Sequence, residues 1–261
     1  MTYSEILRVA IESLLINRLR SFLTTLGIVI GVGAVIGLVS LGRAVEVFIA
    51  SEFESLGSNI LEVSSRRPSS PTRTRIEPLS MRVAADLANP LNSSTISQIA
   101  VTYGVFGQIQ SGPNRLSLSL TGVSANYAQL RSWPLLYGSF IEAQDIEETT
   151  RVAVLGLDVV ESLFGQRFFN PVGQIIRIND RSFTVIGVMT ERGGTFVSQD
   201  NVILIPITTA QTRLANARAA DGSYIVSRMY VQVRDEGMIN QATQEITAYL
   251  SEKHRVMFPD E

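Results

Sequence analysis

The sequence predicts an α+β protein held to a membrane by one helix near its N-terminus, and three observations point there. Residues 22–41, FLTTLGIVIGVGAVIGLVSL, carry no charge. Beyond residue 58, runs that alternate apolar and polar residues recur between turn-forming clusters, the period of half-buried strands. Other stretches repeat apolar residues every three or four positions, the period of helices packed on one face.

In chain order, residues 3–20 place Ile6, Leu7, Ala10, Ile11, Leu14 and Leu15 on one helical face and Glu5, Arg8 and Glu12 on the other. Just ahead of a span, such a helix is expected to lie in the cytoplasmic interface plane; packing on a partner subunit is the compatible alternative. The span itself follows. Its twenty residues cover roughly 30 Å as a helix, the hydrocarbon thickness of a bilayer. A core helix of a soluble protein rarely stays apolar on every face over that length. A cleaved signal peptide is the stronger rival, with Ser40-x-Gly42 as a weak cleavage site. Its apolar region is usually only about 7–15 residues long and closer to the N-terminus, so an uncleaved anchor is preferred.

Arg18 and Arg20 stand directly before the span, with Arg8 further back; Arg43 and then Glu46, Glu52 and Glu54 follow it. Positive residues favour the cytoplasmic side and acids count little, so the N-terminus is expected inside and residues after 42 outside. Arg18, Arg20, Phe22 and Leu41 thus bound the membrane anchor. Gly27-x-x-x-Gly31 and Gly33-x-x-x-Gly37 would let another helix approach closely, although glycine is common in membrane helices generally. Val45, Ile49, Phe53 and Leu56 then recur at helical spacing, with Gly57 where a helix-closing residue belongs. Residues 42–57 are read as a stalk whose apolar stripe calls for a covering helix.

Residues 58–64 read as a short strand. Residues 65–78 hold Arg66, Arg67, Arg73 and Arg75 among serines, threonines and prolines, a solvated loop in preference to a dock for an acidic partner. A helix is expected over 79–89, ending before Pro90. Strands at 96–110 and 115–123 flank Ser111-Gly112-Pro113-Asn114, a hairpin. From 125 to 225 the elements are short: a strand at 151–155, a helix at 158–164 closed by Gly165, a hairpin of 175–178 and 183–188 around Asn179-Asp180-Arg181, and a strand at 202–207. A strand at 229–233 feeds a helix over 237–253 that puts Ile239, Ala242, Ile246, Tyr249 and Leu250 on one face.

Composition removes several classes of function. The net charge of −2 leaves no basic footprint for nucleic acid. Cysteine is absent and His254 is the single histidine, so there is neither disulfide framework nor zinc-type ligand set. No G-x-x-x-x-G-K-[ST] loop occurs; nucleotide would have to be handled by another chain. No Gly-x-Ser-x-Gly elbow occurs, and His254 beside Arg255 is read as a surface residue. Asp145, Glu147 and Glu148 read as a solvated turn rather than a cation site. Asn92-Ser93-Ser94 matches a short glycosylation pattern of low specificity. No catalytic, cofactor or metal site is expected.

Taken together, NRLRSFLTTLGIVIGVGAVIGLVSLG, ESLGSNILEV, LTGVSANY, LYGSFIEAQD, RVAVLG, NPVGQIIRINDRSFTVIGVM, ILIPITTAQ and VQVRDEGMINQATQEITAYLSEKH resemble, in that order, the MacB-like permeases of ABC transporters, a group that includes FtsX. The resemblance covers nearly the whole chain. It implies a bacterial inner-membrane protein with a cytoplasmic amphipathic helix (1–21), a membrane helix (22–41) and a stalk (42–57). It also implies a membrane-proximal subdomain rich in βαβ units (58–123 with 226–261) and an inserted strand-rich subdomain (124–225). Implied partners are an ABC ATPase subunit, a second permease protomer or a C-terminal membrane half, a periplasmic adaptor, and the lipid bilayer. Family members continue into three further membrane helices, whereas this sequence stops at Glu261. A truncated form, a split gene or an N-terminal half is the expectation, and transport by these residues alone is not expected. The alternative function is a single-pass anchored binding module without transport; a secreted enzyme would need signal cleavage and a site the sequence does not offer.

Overall fold

The computed structural model of the chain describes residues 16–54, 59–65, 78–193 and 198–254. The first fifteen residues of the expected interfacial helix, Leu56 and Gly57 of the stalk, and Arg66, Arg67, Arg73 and Arg75 lie outside them. The chain divides into two compact units, Met1–Ser55 and Leu56–Glu261.

The first unit holds one long helix, α1 (Arg18–Glu54). The second unit mixes helix and sheet, as the α+β reading expects. Its strands are β1 (Ile60–Ser64), β2 (Ile96–Ser111), β3 (Asn114–Val123), β4 (Leu135–Gly138), β5 (Val152–Leu155), β6 (Ile175–Ile178), β7 (Arg181–Met189), β8 (Ile203–Pro206) and β9 (Arg228–Val233). Its helices are α2 (Met81–Ala88), α3 (Tyr127–Leu130), α4 (Ala143–Glu148), α5 (Leu157–Phe164), the short α6 (Ile207–Thr209) and α7 (Ile239–His254). A wide π-type turn, Ala210–Ala215, continues α6.

Two tight turns set the registers. Gly112 takes φ +57 as the first residue between β2 and β3, the positive φ that a II′ turn demands there. Asn179 and Asp180 take φ +45 and +65 between β6 and β7, the paired left-handed conformations of a I′ turn, which asparagine and aspartate tolerate best. Gly165, at φ +79, closes α5 and donates its N–H to the Glu161 carbonyl.

Strand order along the sheet is β1-β9-β2-β3-β8-β5-β7-β4, with β6 joining β2 to β7. That last link closes a circuit: β2 pairs β3, β3 pairs β8, β8 pairs β5, β5 pairs β7, β7 pairs β6, and β6 returns to β2. The β3–β8 and β5–β7 pairs are parallel and the others antiparallel. Every strand of the ring sends residues into one core: Val105 and Ile109, Leu118 and Leu120, Ala153 and Leu155, Ile176 and Ile178, Phe183 and Val185, Ile203 and Ile205. The ring is therefore a filled barrel, with Leu157, Val159, Val160 and Leu163 of α5 in the same core. A Cβ at Gly107 would stand 2.6 Å from Leu120 Cδ1, so a larger residue there would have to displace that core side chain.

Beside the barrel, β1 and β2 both run antiparallel to β9, which lies between them. They are therefore parallel to each other and joined through α2. Leu79, Val83, Ala84 and Leu87 of the α2 segment and Ile246 and Leu250 of α7 share a core with Val101, Met229 and Val231. Ala100 and Tyr230 of these strands pack instead with Tyr127, Leu130 and Trp133.

Candidate functional site

The membrane helix is the first candidate. Within Arg18–Glu46, the most apolar window has a mean hydropathy of 2.4, and none of that window is buried within the chain. Phe22 and Leu41 are each more than half exposed. An apolar surface of this length left open on all sides suits a lipid solvent, where the helix satisfies its own backbone. The Thr24 hydroxyl is satisfied internally too, donating to the Arg20 carbonyl at 2.9 Å and the Ser21 carbonyl at 3.0 Å.

Gly27, Gly31, Gly33 and Gly37 all fall in this helix, and a Cβ at any of them would meet nothing within 4 Å. No contact among the described residues requires glycine at these positions. At about 100° per residue, Gly27 and Gly31 share one face, and Gly33 and Gly37 share a second roughly 120° away. Arg18 and Arg20 sit in the first turn of α1, while Val45, half exposed, and the positions of Ile49 and Phe53 fall in its last third. Leu56 is outside the described residues.

The second candidate is an ionic knot on the sheet domain that sequence patterns did not single out. Asp158 and Glu161 are one turn apart on α5, and the left-handed Gly165 turns the chain so that Arg167 comes back to them. Arg167 Nη1 lies 2.5 Å from Asp158 Oδ1 and 3.2 Å from Glu161 Oε2. Its Nη2 lies 2.8 Å from Glu191 Oε1 and 3.7 Å from Asp200 Oδ2. Asp200 is fully buried and accepts the backbone N–H of Arg192 at 2.8 Å and of Gly193 at 3.0 Å. Ser198 Oγ donates a very short bond to Asp158. That bond, followed by the Arg167 guanidinium, holds the Asp158 carboxyl below its ordinary range.

Neighbouring contacts fix the same segment. Trp133 Nε1 donates to the Thr190 carbonyl at 2.9 Å, and the Arg192 guanidinium sits over the Trp133 ring at 5.3 Å while donating to the Arg131 carbonyl. Gly156 is pressed so closely on the Asp200 backbone that a Cβ would stand 2.1 Å from its carbonyl oxygen. The knot presents no nucleophile–base pair. Its chemistry is structural: one guanidinium and one buried carboxylate tie residues 190–193 and 198–200 to the end of α5. No group of three or more metal-ligating side chains occurs among the described residues. Asp145, expected in a solvated turn, instead starts α4 by accepting the Glu142 N–H at 3.0 Å, and its other oxygen accepts the Thr150 hydroxyl at 2.7 Å.

Comparison with known proteins fits this architecture. The model of the MacB-like periplasmic core domain matches residues 21–249. The macrolide export ATP-binding/permease protein MacB of Chlorobium luteolum is 31% identical over 257 residues, covering 97% of this chain and 37% of that protein. The pyoverdine export ATP-binding/permease protein PvdT of Pseudomonas syringae is 31% identical over 256 residues, 95% of this chain and 36% of that one. The chain thus spans little more than a third of the curated relatives it matches. Two solved structures share the fold. The periplasmic region of MacB from Actinobacillus actinomycetemcomitans aligns with a TM-score of 0.63 at 22% identity, over 77% of this chain and 87% of that one. The extracellular domain of the ABC-type transporter YknZ from Gram-positive bacteria aligns at 0.60 and 16%, over 76% and 96%. An apolar N-terminal helix leading into a sheet domain of this fold, matched along residues 21–249, places the chain in the MacB-like periplasmic core domain family of ABC permeases.

Proposed function

We propose that the chain is the membrane-anchored, extracytoplasmic part of a MacB-like ABC exporter permease, which relays motion driven by a separate ATPase to the sheet domain. One observation carries the reading: a single chain joins a helix with an uncharged apolar stretch at residues 22–41 to a domain that matches the MacB-like periplasmic core domain. In this reading Arg18 and Arg20 hold the cytoplasmic end of the span and Phe22 to Leu41 cross the inner membrane. The faces of Gly27 and Gly31 and of Gly33 and Gly37 take neighbouring helices.

The stripe of Val45, Ile49, Phe53 and Leu56 would transmit the movement against a covering helix from a second protomer or from further membrane segments. An ABC ATPase would supply the energy, and a periplasmic adaptor would receive or relay substrate. The division into a membrane-proximal part (58–123 with 226–261) and an inserted part (124–225) belongs to the same proposal, with β2 and β3 running between the two.

The test is a charge in the stalk. In proteoliposomes holding the assembled transporter, Ile49→Asp should leave ATP hydrolysis in place and cut export by at least about tenfold. Burial of an isoleucine is worth roughly 1.5–3 kcal/mol, and a charge in the same place opposes closure of the helix pair. Export at the wild-type rate would show that the stripe carries no load.

A further inference from the structure

One end of the barrel gathers three arginines whose charge the fold does not use. Arg151 immediately precedes β5, Arg181 begins β7, and Arg213 lies in the π-type turn after β8. Pairing brings these segments together. The parallel register of Val152 with Thr184 puts the starts of β5 and β7 at the same end. The antiparallel register of Leu155 with Ile203 carries the end of β8, and the turn behind it, to the same place.

With Glu148, Thr149 and Thr150 the three arginines line a cavity of about 440 Å³. All three are exposed, and none makes a side-chain ion pair or hydrogen bond among the described residues. Glu148, the one acid on the wall, already accepts from Gln144 Nε2 at 2.8 Å. The platform beneath is fixed. The Thr184 N–H donates to the Arg151 carbonyl at 2.9 Å, and the Thr209 hydroxyl donates to the Thr150 carbonyl at 2.6 Å. The Asn216 N–H closes the turn onto the Gln211 carbonyl at 2.8 Å.

The contrast with the cavity bordered by α2 and α7 is direct. There Arg82 and Lys253 face Asp86 and Asp221, so the walls cancel. Here three guanidiniums face one carboxylate, and each guanidinium offers the planar fork that grips carboxylate or phosphate oxygens. The volume lies in the range of small-molecule sites and exceeds what a single monovalent ion needs.

We propose that this cavity binds a small polyvalent oxyanion, a polycarboxylate or a phosphoester-bearing molecule. Arg151, Arg181 and Arg213 grip its charged groups from three sides. The proposal rests on the barrel alone and stands or falls independently of the export reading.

Titration calorimetry on the full chain in non-ionic detergent tests it, with citrate and pyrophosphate as probes and sodium chloride at matched ionic strength as the reference. Saturable one-site binding of either probe is expected, and which probe binds more tightly separates carboxylate from phosphate chemistry. Arg213→Gln should weaken it by at least about tenfold, the worth of one charge-assisted hydrogen-bonded contact. The triple change Arg151→Gln, Arg181→Gln, Arg213→Gln should abolish it, with the emission of Trp133 confirming the fold. Arg115→Gln with Arg177→Gln, which removes two positive charges from a different cavity, should leave binding unaltered. The proposal is overturned if neither probe saturates in the wild type, if Arg213→Gln binds as the wild type does, or if the control pair weakens binding as much as the triple change.

Discussion

Replacing Asp200 by alanine is the sharpest probe of the sheet domain. The carboxylate is fully buried and accepts two backbone N–H groups, those of Arg192 and Gly193. Alanine leaves both donors without a partner, and a buried unsatisfied donor costs about 1–3 kcal/mol, so a loss centred near 3 kcal/mol is expected for the pair. Arg167 adds little to this sum, because Asp158, Glu161 and Glu191 remain around it when Asp200 is gone. At roughly 2–4 °C per kcal/mol for a domain of this size, the melting temperature should fall by 6–12 °C. Asp200→Asn, which keeps one acceptor oxygen, should lose clearly less. The chain carries a single tryptophan, Trp133, whose indole bonds to Thr190 within the pinned segment, so its fluorescence reports on this region during a thermal or urea melt. Alanine and wild-type proteins that melt together would show that the buried carboxylate does not hold the segment, and the reasoning on Asp200 would be wrong.

Asn179→Val should destabilise the barrel by about 2 kcal/mol in urea unfolding, because a β-branched residue is strained at φ +45 and the bond from the Gln108 N–H to Asn179 Oδ1 at 2.8 Å is lost. Asn179→Gly, which relieves the strain but not the lost bond, should sit between the two. For acid stability the sign follows from Asp158. Its folded pKa lies below the unfolded value, so its contribution is fully present above that unfolded value and disappears as pH falls through the folded one. Between pH 7 and pH 3 the wild type should therefore lose more stability than Asp158→Asn, as measured by paired urea melts. Parallel losses would remove Asp158 from the account.

Local chemistry explains which parts of the fold can be read from sequence. The turn at Asn179-Asp180 and the close of α5 at Gly165 announce themselves because their backbone conformations restrict the residues that fit. The amphipathic face of α7 is visible because Ala242, Ile246 and Leu250 repeat at helical spacing and are buried. Ring closure is not visible. The pairing of β2 with β6, and the parallel pairing of β3 with β8, join segments some seventy to eighty residues apart that carry no mark of each other. β4 is only four residues long and its pattern alternates between partial and full exposure, so periodicity has little to act on.

The charged groups follow the same rule. Arg167 and Asp200 lie 33 positions apart, and nothing local distinguishes Asp200, fully buried, from a solvated loop aspartate. Arg151, Arg181 and Arg213 read as three separate strand-end charges until β5, β7 and β8 are laid side by side. The membrane helix is the opposite case. Its signal is the uninterrupted apolar composition of residues 22–41, which needs no partner in the chain to be recognised.

The most direct test of the central claim is the sidedness of that helix. The sequence contains no cysteine, so single cysteines can be introduced on a silent background. Ser117→Cys, at an exposed position on β3, should react with a membrane-impermeant maleimide in intact spheroplasts, whereas Ser4→Cys should react only after permeabilisation. That pattern is what an uncleaved span with its N-terminus inside and its sheet domain outside requires. Labelling of Ser4→Cys alone in intact spheroplasts, or release of the Ser117→Cys protein by carbonate as a shortened soluble chain, would contradict it.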